Sequence, residues 1–309
     1  MPLLRAALLK LSTRQRIGAA LGRLPAARRF VRRFVAGESV DDALAVLQRV
    51  NAEGLLGAVT YLGENVVTEA DAARATRAYL DLLAEIERRA LSVVPSLKLT
   101  HLGLDLGEAV CRANLEKVLA RGRAARILVW IDMESTAYTD RTLDLYARVR
   151  ATYPNAACVV QAYLRRTAKD LERLIELGAT VRLCKGAYRE PPELAYPDKR
   201  DVDESYARLM DRLLAPDAQR REVYAAFATH DERLQRRARE RARELRVAHD
   251  RFELQMLYGI RGDLHARIAA LGLRLRVLVP YGEDWYGYFM RRLAERPANL
   301  VFLLRHLVR

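Results

Sequence analysis

The stretch Ile127-Leu128-Val129-Trp130-Ile131-Asp132 sets five apolar residues in a row and closes them with a carboxylate. A short run of this kind, rich in β-branched and aromatic residues, is typical of a strand buried on both faces of a parallel sheet. Seven more such runs occur between residue 55 and residue 280, separated by longer charged stretches with apolar residues at three- and four-residue spacing. This alternation predicts a series of βα units.

The runs define eight expected strands with a helix after each. The strands are expected at Leu55–Leu62, Ser96–Leu99, Ile127–Asp132, Cys158–Tyr163, Val181–Lys185, Tyr224–Thr229, Phe252–Met256 and Arg276–Val279. The helices are expected near residues 68–90, 107–121, 139–150, 166–176, 200–216, 231–248, 262–270 and 284–295. Several helices open at a capping residue such as Thr68, Thr139 or Asp231.

The number of units indicates the fold class. Every crossover is long enough for parallel pairing, and eight units over roughly 240 residues predict an α/β fold of the (β/α)₈ TIM-barrel type. A doubly wound sheet usually has fewer strands, and its G-x-G-x-x-G fingerprint is absent from the sequence. The P-loop and G-x-S-x-G motifs are absent as well. We expect a barrel catalytic domain over residues 51–309, with its final helix near the barrel mouth.

Residues 1–50 form an expected basic, helical N-terminal segment. The chain carries 53 basic and 39 acidic residues, and residues 1–40 hold nine of the basic residues but only one acidic residue, Glu38. The segment is interpreted as a solvated helical face, with contact to a membrane surface as the alternative. A transit peptide is disfavoured because Ser and Thr are scarce. Nucleic acid is not an expected partner, because Phe30 and Phe34 are the only aromatic residues there.

Composition predicts a soluble protein of the cytoplasm, with peripheral attachment to the inner face of the membrane as an alternative. The chain has 309 residues, 51% hydrophobic and 30% charged, which suits one large core. Its longest stretch without Asp, Glu, Lys or Arg, Ala151–Leu164, is too short and too polar to span a bilayer. The first ten residues contain charged positions and lack the continuous apolar region of a secretory signal.

Cysteine and histidine spacing predicts neither a disulfide framework nor a metal site. Cys111, Cys158 and Cys184 form no C-x-x-C pair and suit buried thiols in a reducing compartment. The five histidines show no H-x-x-x-H or H-E-x-x-H spacing.

Polar residues concentrate where the predicted strands end. They are Glu64, Lys98, Asp132, Gln161, Arg182, Lys185, Thr229, His230 and Gln255. In a barrel these ends converge on the face where active sites are built. Lysine is rare here, six of 53 basic residues, so two lysines at strand ends favour a functional role. The pair Arg291-Arg292 follows the eighth strand and could hold a carboxylate or phosphate. The residues thus predict a barrel enzyme with a cationic pocket for a small anion.

Eight motifs in order carry a family resemblance. They are Tyr61-Leu62-Gly63-Glu64, Lys98-Leu99-Thr100, Asp132-Met133-Glu134, Val159-Val160-Gln161-Ala162-Tyr163, Val181-Arg182-Leu183-Cys184-Lys185-Gly186-Ala187-Tyr188, Ala228-Thr229-His230, Phe252-Glu253-Leu254-Gln255-Met256-Leu257-Tyr258-Gly259 and Tyr288-Phe289-Met290-Arg291-Arg292-Leu293-Ala294-Glu295. Over about residues 50–305 the chain resembles the proline dehydrogenase family in its monofunctional bacterial form. The resemblance implies a distorted barrel with noncovalent FAD that oxidises L-proline to Δ1-pyrroline-5-carboxylate. It also implies a membrane quinone as electron acceptor and a downstream pyrroline-5-carboxylate dehydrogenase as a partner.

The resemblance also assigns roles to individual residues. Lys98, Arg291 and Arg292 would bind the proline carboxylate, and Asp132 would offset part of their charge. Tyr188 would wall the substrate pocket, and Glu64 would act as a gate that pairs with Arg291 when substrate is bound. The implied cofactor contacts are Arg182 near the reactive nitrogen, Gln161 at the ring edge, Lys185, Thr229, His230 and Glu295 along the phosphates, ribose and adenine, and Gly186, Ala187 and Gln255.

One position departs from the family pattern. Where the family has Arg-Val-Tyr-Val-Pro, this chain reads Arg276-Val277-Leu278-Val279-Pro280. Leu278 cannot donate a hydrogen bond and changes the wall that excludes ring substituents. Oxidation of 4-hydroxyproline, or a looser specificity for imino acids, therefore stays open beside L-proline.

Two other functions remain as alternatives on the residues alone. A barrel lyase or aldolase would use Lys98 or Lys185 as a Schiff base, which requires such a lysine in a dry pocket. A protein without enzymatic activity would bind membranes through its basic first 40 residues.

Overall fold

The computed structural model describes the backbone of residues 31–295 and the side chains of residues 31–290. Most of the predicted basic N-terminal segment lies outside the described residues, so the predicted boundary at residue 50 stays a prediction.

Eight parallel strands close into one barrel in sequence order. The strands are β1 Leu56–Tyr61, β2 Val93–Leu97, β3 Val129–Ile131, β4 Ala156–Gln161, β5 Thr180–Cys184, β6 Tyr224–Ala228, β7 Phe252–Leu257 and β8 Leu275–Tyr281. The helices are α1 Val40–Ala52, α2 Glu69–Arg88, α3 Glu108–Ala124, α4 Thr136–Arg150, α5 Thr167–Glu176, α6 Lys199–Leu213, α7 Pro216–Arg220, α8 Glu232–Glu244, α9 Asp263–Ala270 and α10 Trp285–Glu295. The predicted (β/α)₈ fold is therefore confirmed.

Most element boundaries agree with the sequence prediction within a few residues, and three differences are informative. Strand β2 starts at Val93 and runs through Pro95, a residue the prediction left outside the strand. Helix α4 begins at Thr136, so the predicted cap at Thr139 is wrong, and Thr139 lies buried inside the helix. The helix predicted over 200–216 ends at Leu213, because Pro216 begins the separate helix α7.

Thr68 and Asp231 do cap helices as predicted. The Thr68 side chain accepts a hydrogen bond from the Asp71 backbone N–H at the start of α2. The Asp231 side chain accepts one from the Arg233 backbone N–H at the start of α8. Both helices follow strands, so the caps fix how the chain turns at the C-terminal end of the barrel.

The strand register identifies the side chains that share the barrel interior. Neighbouring parallel strands place paired residues on the same side of the sheet. Ser96 pairs with Trp130, Arg182 with both Val159 and Ala226, Ala226 with Glu253, and Gln255 with Arg276. These residues point inward, so the interior contains several polar and charged side chains among apolar ones.

Two helices depart from a regular barrel. Helix α1 packs against β1 and β8, and its Leu47 and Val50 belong to the main core. Helix α10, which follows β8, packs instead with Val31, Phe34 and Leu62 at the C-terminal end of the barrel. This packing places α10 next to Leu62, which directly follows β1. Within the described range, no helix has the length and apolarity needed to cross a membrane.

A buried ion pair lies inside the barrel near the N-terminal ends of β7 and β8. Arg276 donates to Glu253 from Nε at 2.7 Å and from Nη2 at 2.9 Å, and its Nη1 donates to the Gly57 carbonyl at 2.7 Å. Tyr224 Oη donates to Glu253 Oε2 at 2.9 Å, and Gln255 Nε2 donates to Oε1 at 2.5 Å. Burial opposes ionisation of Glu253, but Arg276 keeps the Glu253 pKa below its ordinary value. The two side chains are therefore energetically coupled.

We predict that Glu253→Gln lowers the free energy of unfolding by about 3–5 kcal/mol, because it leaves the buried Arg276 charge without a counterion. The double variant Glu253→Gln/Arg276→Met should lose less stability than the sum of the two single variants. Urea unfolding of the four proteins measures this difference. Additive losses would show that the pair is not coupled.

Candidate active site

Arg182 forms the centre of the predicted cluster at the C-terminal mouth. Its Nη1 donates to Asp132 Oδ1 at 2.9 Å and to Ser96 Oγ at 2.9 Å, and Ser96 Oγ donates to Asp132 Oδ1 at 2.7 Å. The guanidinium carbon lies 4.4 Å from the centroid of the Trp130 ring, a cation–π distance. The Arg182 side chain is 5% exposed. Three neighbouring side chains thus fix the position of a buried cation.

Two N–H donors of this cation are left without an acceptor among the described residues. Nε and Nη2 of Arg182 are buried and donate to no atom in the described part of the chain. Burial lowers the pKa of Arg182, and Asp132 opposes that effect. A buried donor without an acceptor costs about 1–3 kcal/mol. These two N–H groups are therefore suited to an acceptor that is not part of the protein.

Lys98 and Glu64 lie together at the same mouth. Lys98 follows β2 and continues its inward-facing side beyond Ser96, and Lys98 Nζ lies 3.0 Å from Glu64 Oε2. Lys98 is 15% exposed and Glu64 is 32% exposed. The pair places an ammonium group at the barrel opening with a carboxylate that can neutralise it. The predicted partner of Glu64, Arg291, has its side chain outside the described residues, so the pairing of Glu64 with Arg291 stays a prediction.

Glu134 supports the floor of the mouth next to Gln161. Glu134 Oε1 accepts from the Thr100 backbone N–H at 3.1 Å and Oε2 from the Thr100 hydroxyl at 2.6 Å. Gln161 Nε2 donates to the Glu134 backbone carbonyl at 2.9 Å. Burial raises the Glu134 pKa from 4.5 to about 6, and the hydrogen bonds from Thr100 offset only part of that rise. The network connects the loops after β2, β3 and β4.

A second charged cluster lies after β5 and β6. Lys185 Nζ is 2.5 Å from Asp203 Oδ1 and 3.5 Å from Asp231 Oδ2, and Lys199 and Arg233 also contact these carboxylates. The hydrogen bonds from Arg233 lower the Asp231 pKa. Three cations share two carboxylates, so the cluster keeps an excess positive charge. Such an excess suits an anionic group.

Thr229 and His230 lie next to this cluster. Thr229 Oγ1 accepts from the Asp231 backbone N–H at 3.2 Å. His230 Nε2 accepts from the Leu257 backbone N–H at 2.9 Å, which assigns that nitrogen as the unprotonated one in this contact. The hydrogen bond fixes the plane of the His230 ring between the ends of β6 and β7.

The loop after β5 carries three further predicted residues. Gly186, Ala187 and Tyr188 are half-buried there. Gly186 has φ of 113°, and a Cβ at this position would lie 2.2 Å from the Tyr163 ring. Glycine is therefore required for the loop to pass over Tyr163.

Gln255 and Leu278 both face the barrel interior but differ in their contacts. Gln255 is 3% exposed, and its amide nitrogen donates a hydrogen bond to Glu253. This nitrogen therefore contacts the buried Glu253–Arg276 ion pair and does not face the open mouth. Leu278 is half-buried and pairs with Ala58 and Leu257. Asp132 is satisfied by Ser96 and Arg182, so leucine at 278 leaves no partnerless carboxylate at Asp132.

The remaining predicted residues are in helix α10. Arg291, Arg292 and Glu295 have helical backbone, but their side chains lie outside the described residues. Their predicted contacts stay predictions. Among the described residues, no group of His, Cys, Asp and Glu is arranged to hold a metal ion.

Sequence reasoning missed three residues that shape the site. The sequence indicates Trp130 only as an apolar strand residue, whereas in the structure its ring lies against the Arg182 guanidinium. The sequence indicates Ser96 only as the start of a strand and Glu134 only as part of a motif, whereas both form hydrogen bonds in the site. Ser96 and Trp130 point into the barrel on the same side of the sheet as Arg182. This relation depends on the register between strands, which a single sequence does not reveal.

The fold and the mouth define the class of protein. A closed (β/α)₈ barrel whose C-terminal mouth holds fixed cations and a buried arginine with unsatisfied donors is built as a barrel enzyme. The family model described as "Proline dehydrogenase" matches residues 43–305. The chain belongs to the proline dehydrogenase family.

Individual relatives agree with this assignment. The chain is 38% identical to Proline dehydrogenase 2 of Bacillus subtilis (strain 168) over 273 residues, which cover 88% of each chain. It is 34% identical to the proline dehydrogenase of Deinococcus radiodurans over 282 residues, covering 90% of this chain and 89% of the relative. The fold is similar to that of proline utilization A from Bdellovibrio bacteriovorus inactivated by N-propargylglycine, with a TM-score of 0.81, 26% identity, and coverage of 87% of this chain and 33% of that chain.

We predict that Glu134 makes stability depend on pH. A carboxyl whose pKa is higher in the folded protein binds its proton more tightly there, so the free energy of unfolding falls as pH rises from about 4.5 to about 6. A shift of this size corresponds to about 2 kcal/mol. In Glu134→Gln the amide oxygen can accept from the Thr100 backbone N–H and the amide nitrogen can donate to the Thr100 hydroxyl. This variant does not titrate and should lack this fall.

Urea unfolding at pH 4.5 and pH 7 measures the effect in the wild type, Glu134→Gln and the control Glu240→Gln, a change at an exposed position. Equal changes with pH in the wild type and Glu134→Gln would contradict the assignment.

Proposed function

We propose that this protein oxidises L-proline to Δ1-pyrroline-5-carboxylate with bound FAD. The observation that carries the proposal is the pair of buried Arg182 donors, Nε and Nη2, that find no acceptor in the described part of the chain. They lie at a mouth that also presents Lys98 for an anionic substrate. Membership in the proline dehydrogenase family supports the same substrate and reaction.

The mouth offers contacts suited to both ends of a dinucleotide. Arg182 would donate to the flavin ring, and Gln161 lies at the end of the neighbouring strand β4. Lys185, Thr229 and His230 would hold the phosphate, ribose and adenine portions, with Gly186 and Ala187 in the same loop and Glu295 from α10. The excess positive charge around Lys185 suits phosphate oxygens. When bound, FAD supplies the hydride acceptor that amino-acid side chains lack.

The protein's own residues would orient the substrate. Lys98 would bind the proline carboxylate together with Arg291 and Arg292. Because Lys98 is already paired with Glu64, substrate binding would exchange one carboxylate partner for another. Glu64 would then be available to Arg291 and would close the mouth against water. Fixing the substrate carboxylate sets the distance and angle of the ring carbon that gives up hydride.

Asp132 would limit the positive charge near the reacting atoms. Its carboxylate is hydrogen-bonded to Arg182 and Ser96 and is 20% exposed toward the mouth. Loss of this charge would leave Arg182 without its ion-pair partner among the described residues. The positive charge that remains would stabilise an anionic ligand and the negative charge that the flavin gains on reduction.

Leu278 would set the tolerance for ring substituents. It lies on the inward face of β8 between two apolar residues, Ala58 and Leu257, and Tyr188 lies in the loop after β5. Leucine is smaller than tyrosine and has no hydroxyl group. A wall built from it would admit 4-hydroxyproline more readily than a tyrosine wall would.

The reaction requires an electron acceptor and a consumer of its product. We propose a membrane quinone as acceptor, reached by peripheral contact of a cytoplasmic enzyme with the inner face of the membrane. The cyclic imine product opens to an aldehyde in water, which a pyrroline-5-carboxylate dehydrogenase would oxidise further.

The Schiff-base alternative has less support from the structure. That chemistry requires a lysine in a dry pocket without a strong counterion. Lys98 is instead paired with Glu64, and Lys185 with Asp203. Both lysines are thus arranged to bind anions.

We predict that the purified protein, reconstituted with FAD where necessary, shows a visible flavin absorption band that bleaches when L-proline is added without oxygen. Stopped-flow absorbance gives the rate of bleaching for L-proline and for trans-4-hydroxy-L-proline. Leu278→Tyr should raise the preference for proline over hydroxyproline by roughly tenfold, because tyrosine crowds the ring.

Lys169→Met, a change at an exposed position on α5, is the control and should leave both rates unchanged. A protein that stays colourless after reconstitution would overturn the flavin assignment. An unchanged preference in Leu278→Tyr would show that residue 278 does not form the substrate wall.

A further inference from the structure

A basic cavity lies at the end of the barrel opposite the proposed active site. It has a volume of about 550 Å³ and is lined at the N-terminal ends of strands β3, β5, β6, β7 and β8. Its charged lining residues are Arg150, Arg221, Arg251, Arg274, Arg276 and Glu222. Neither the family assignment nor the proposed reaction uses this end of the barrel.

Part of this charge is used within the protein. Arg276 is paired with Glu253. Arg150 donates from Nη1 to the Pro154 carbonyl at 2.6 Å and from Nη2 to the Gly178 carbonyl at 3.0 Å. The Arg150 Nε atom is buried and has no acceptor among the described residues.

The other three arginines of the cavity form fewer contacts within the protein. Arg221 donates to the Glu176 carbonyl at 3.2 Å, at the C-terminal end of α5. Arg274 lies over the Tyr224 ring at 5.8 Å, and neither Arg251 nor Arg274 forms an ion pair with any described residue. Arg251 is half-exposed and Arg274 exposed, so both guanidinium groups are accessible from solvent.

The cavity therefore has a net positive charge. Five guanidinium groups face two carboxylates, those of Glu222 and Glu253, which leaves an excess of three positive charges. The backbone carbonyls of Gly178 and Glu176 offset part of the excess, but they already accept hydrogen bonds from Arg150 and Arg221. Among the described residues, no carbonyl or carboxylate group accepts a hydrogen bond from the side chain of Arg251 or Arg274.

We propose that this cavity binds a small phosphate-bearing molecule with at least two negative charges. The planar fork of arginine matches phosphate oxygens, and several forks around one cavity favour a multivalent anion over chloride. Leu128, Leu177 and Tyr224 provide an apolar wall for an organic portion of the ligand. The volume is sufficient for a small metabolite.

Isothermal titration with sodium pyrophosphate tests the proposal on the full-length protein saturated with FAD, without divalent cations and at constant ionic strength. We expect one site in the wild type. Arg251→Gln/Arg274→Gln should weaken binding by roughly tenfold or more, because two charge-assisted contacts are lost. Both side chains reach solvent, and thermal unfolding will verify that the double variant is folded.

Two control variants locate the binding. Arg236→Gln removes an exposed arginine on α8, away from the cavity, and Arg189→Gln removes an exposed cation in the loop after β5, at the opposite mouth. Both should bind pyrophosphate as the wild type does. Equal weakening by Arg236→Gln would reveal nonspecific attraction, and loss of binding in Arg189→Gln would assign the site to the mouth. Either result, or no binding by the wild type at millimolar pyrophosphate, would overturn the proposal.

Discussion

The buried guanidinium of Arg182 is the constraint on which the rest of the site depends. A charge in a barrel interior is stable only with a counterion and hydrogen bonds. Asp132 and Ser96 supply these from the ends of β3 and β2, and Trp130 supports the cation from below. Because these contacts come from β2 and β3 while Arg182 lies in β5, the closed register of the barrel places the site. Two donors of Arg182 are left for a molecule bound at the mouth.

The same interior carries a second ionic layer nearer the N-terminal end. Arg276 and Glu253 form it, with Gln255 bonded from above and the Gly57 carbonyl at the side. The barrel core is therefore partly polar, and residues that stabilise the fold are adjacent to residues that prepare the mouth. Both ends of the barrel are charged: the proposed active site lies at the C-terminal end, and the arginine cavity lies at the N-terminal end.

The sequence predicted the fold well because the periodicity of apolar residues is a local property. Asp132, closing an apolar run, correctly indicated a residue at a strand end. The pairing of Arg276 with Glu253 was not predictable, because it depends on the register between β7 and β8. The orientation of Trp130 beneath Arg182 likewise depends on strands distant in sequence.

The measurement that tests the central role of Arg182 most directly is a titration of FAD into Arg182→Met, with Arg182→Lys as a milder variant and Arg173→Met, an exposed change on α5, as the control. The account predicts that Arg182→Met weakens FAD binding by roughly tenfold or more, since contacts to a buried cation are lost. It also predicts a more negative flavin midpoint potential in that variant. Unchanged affinity and potential in folded Arg182→Met would contradict the account.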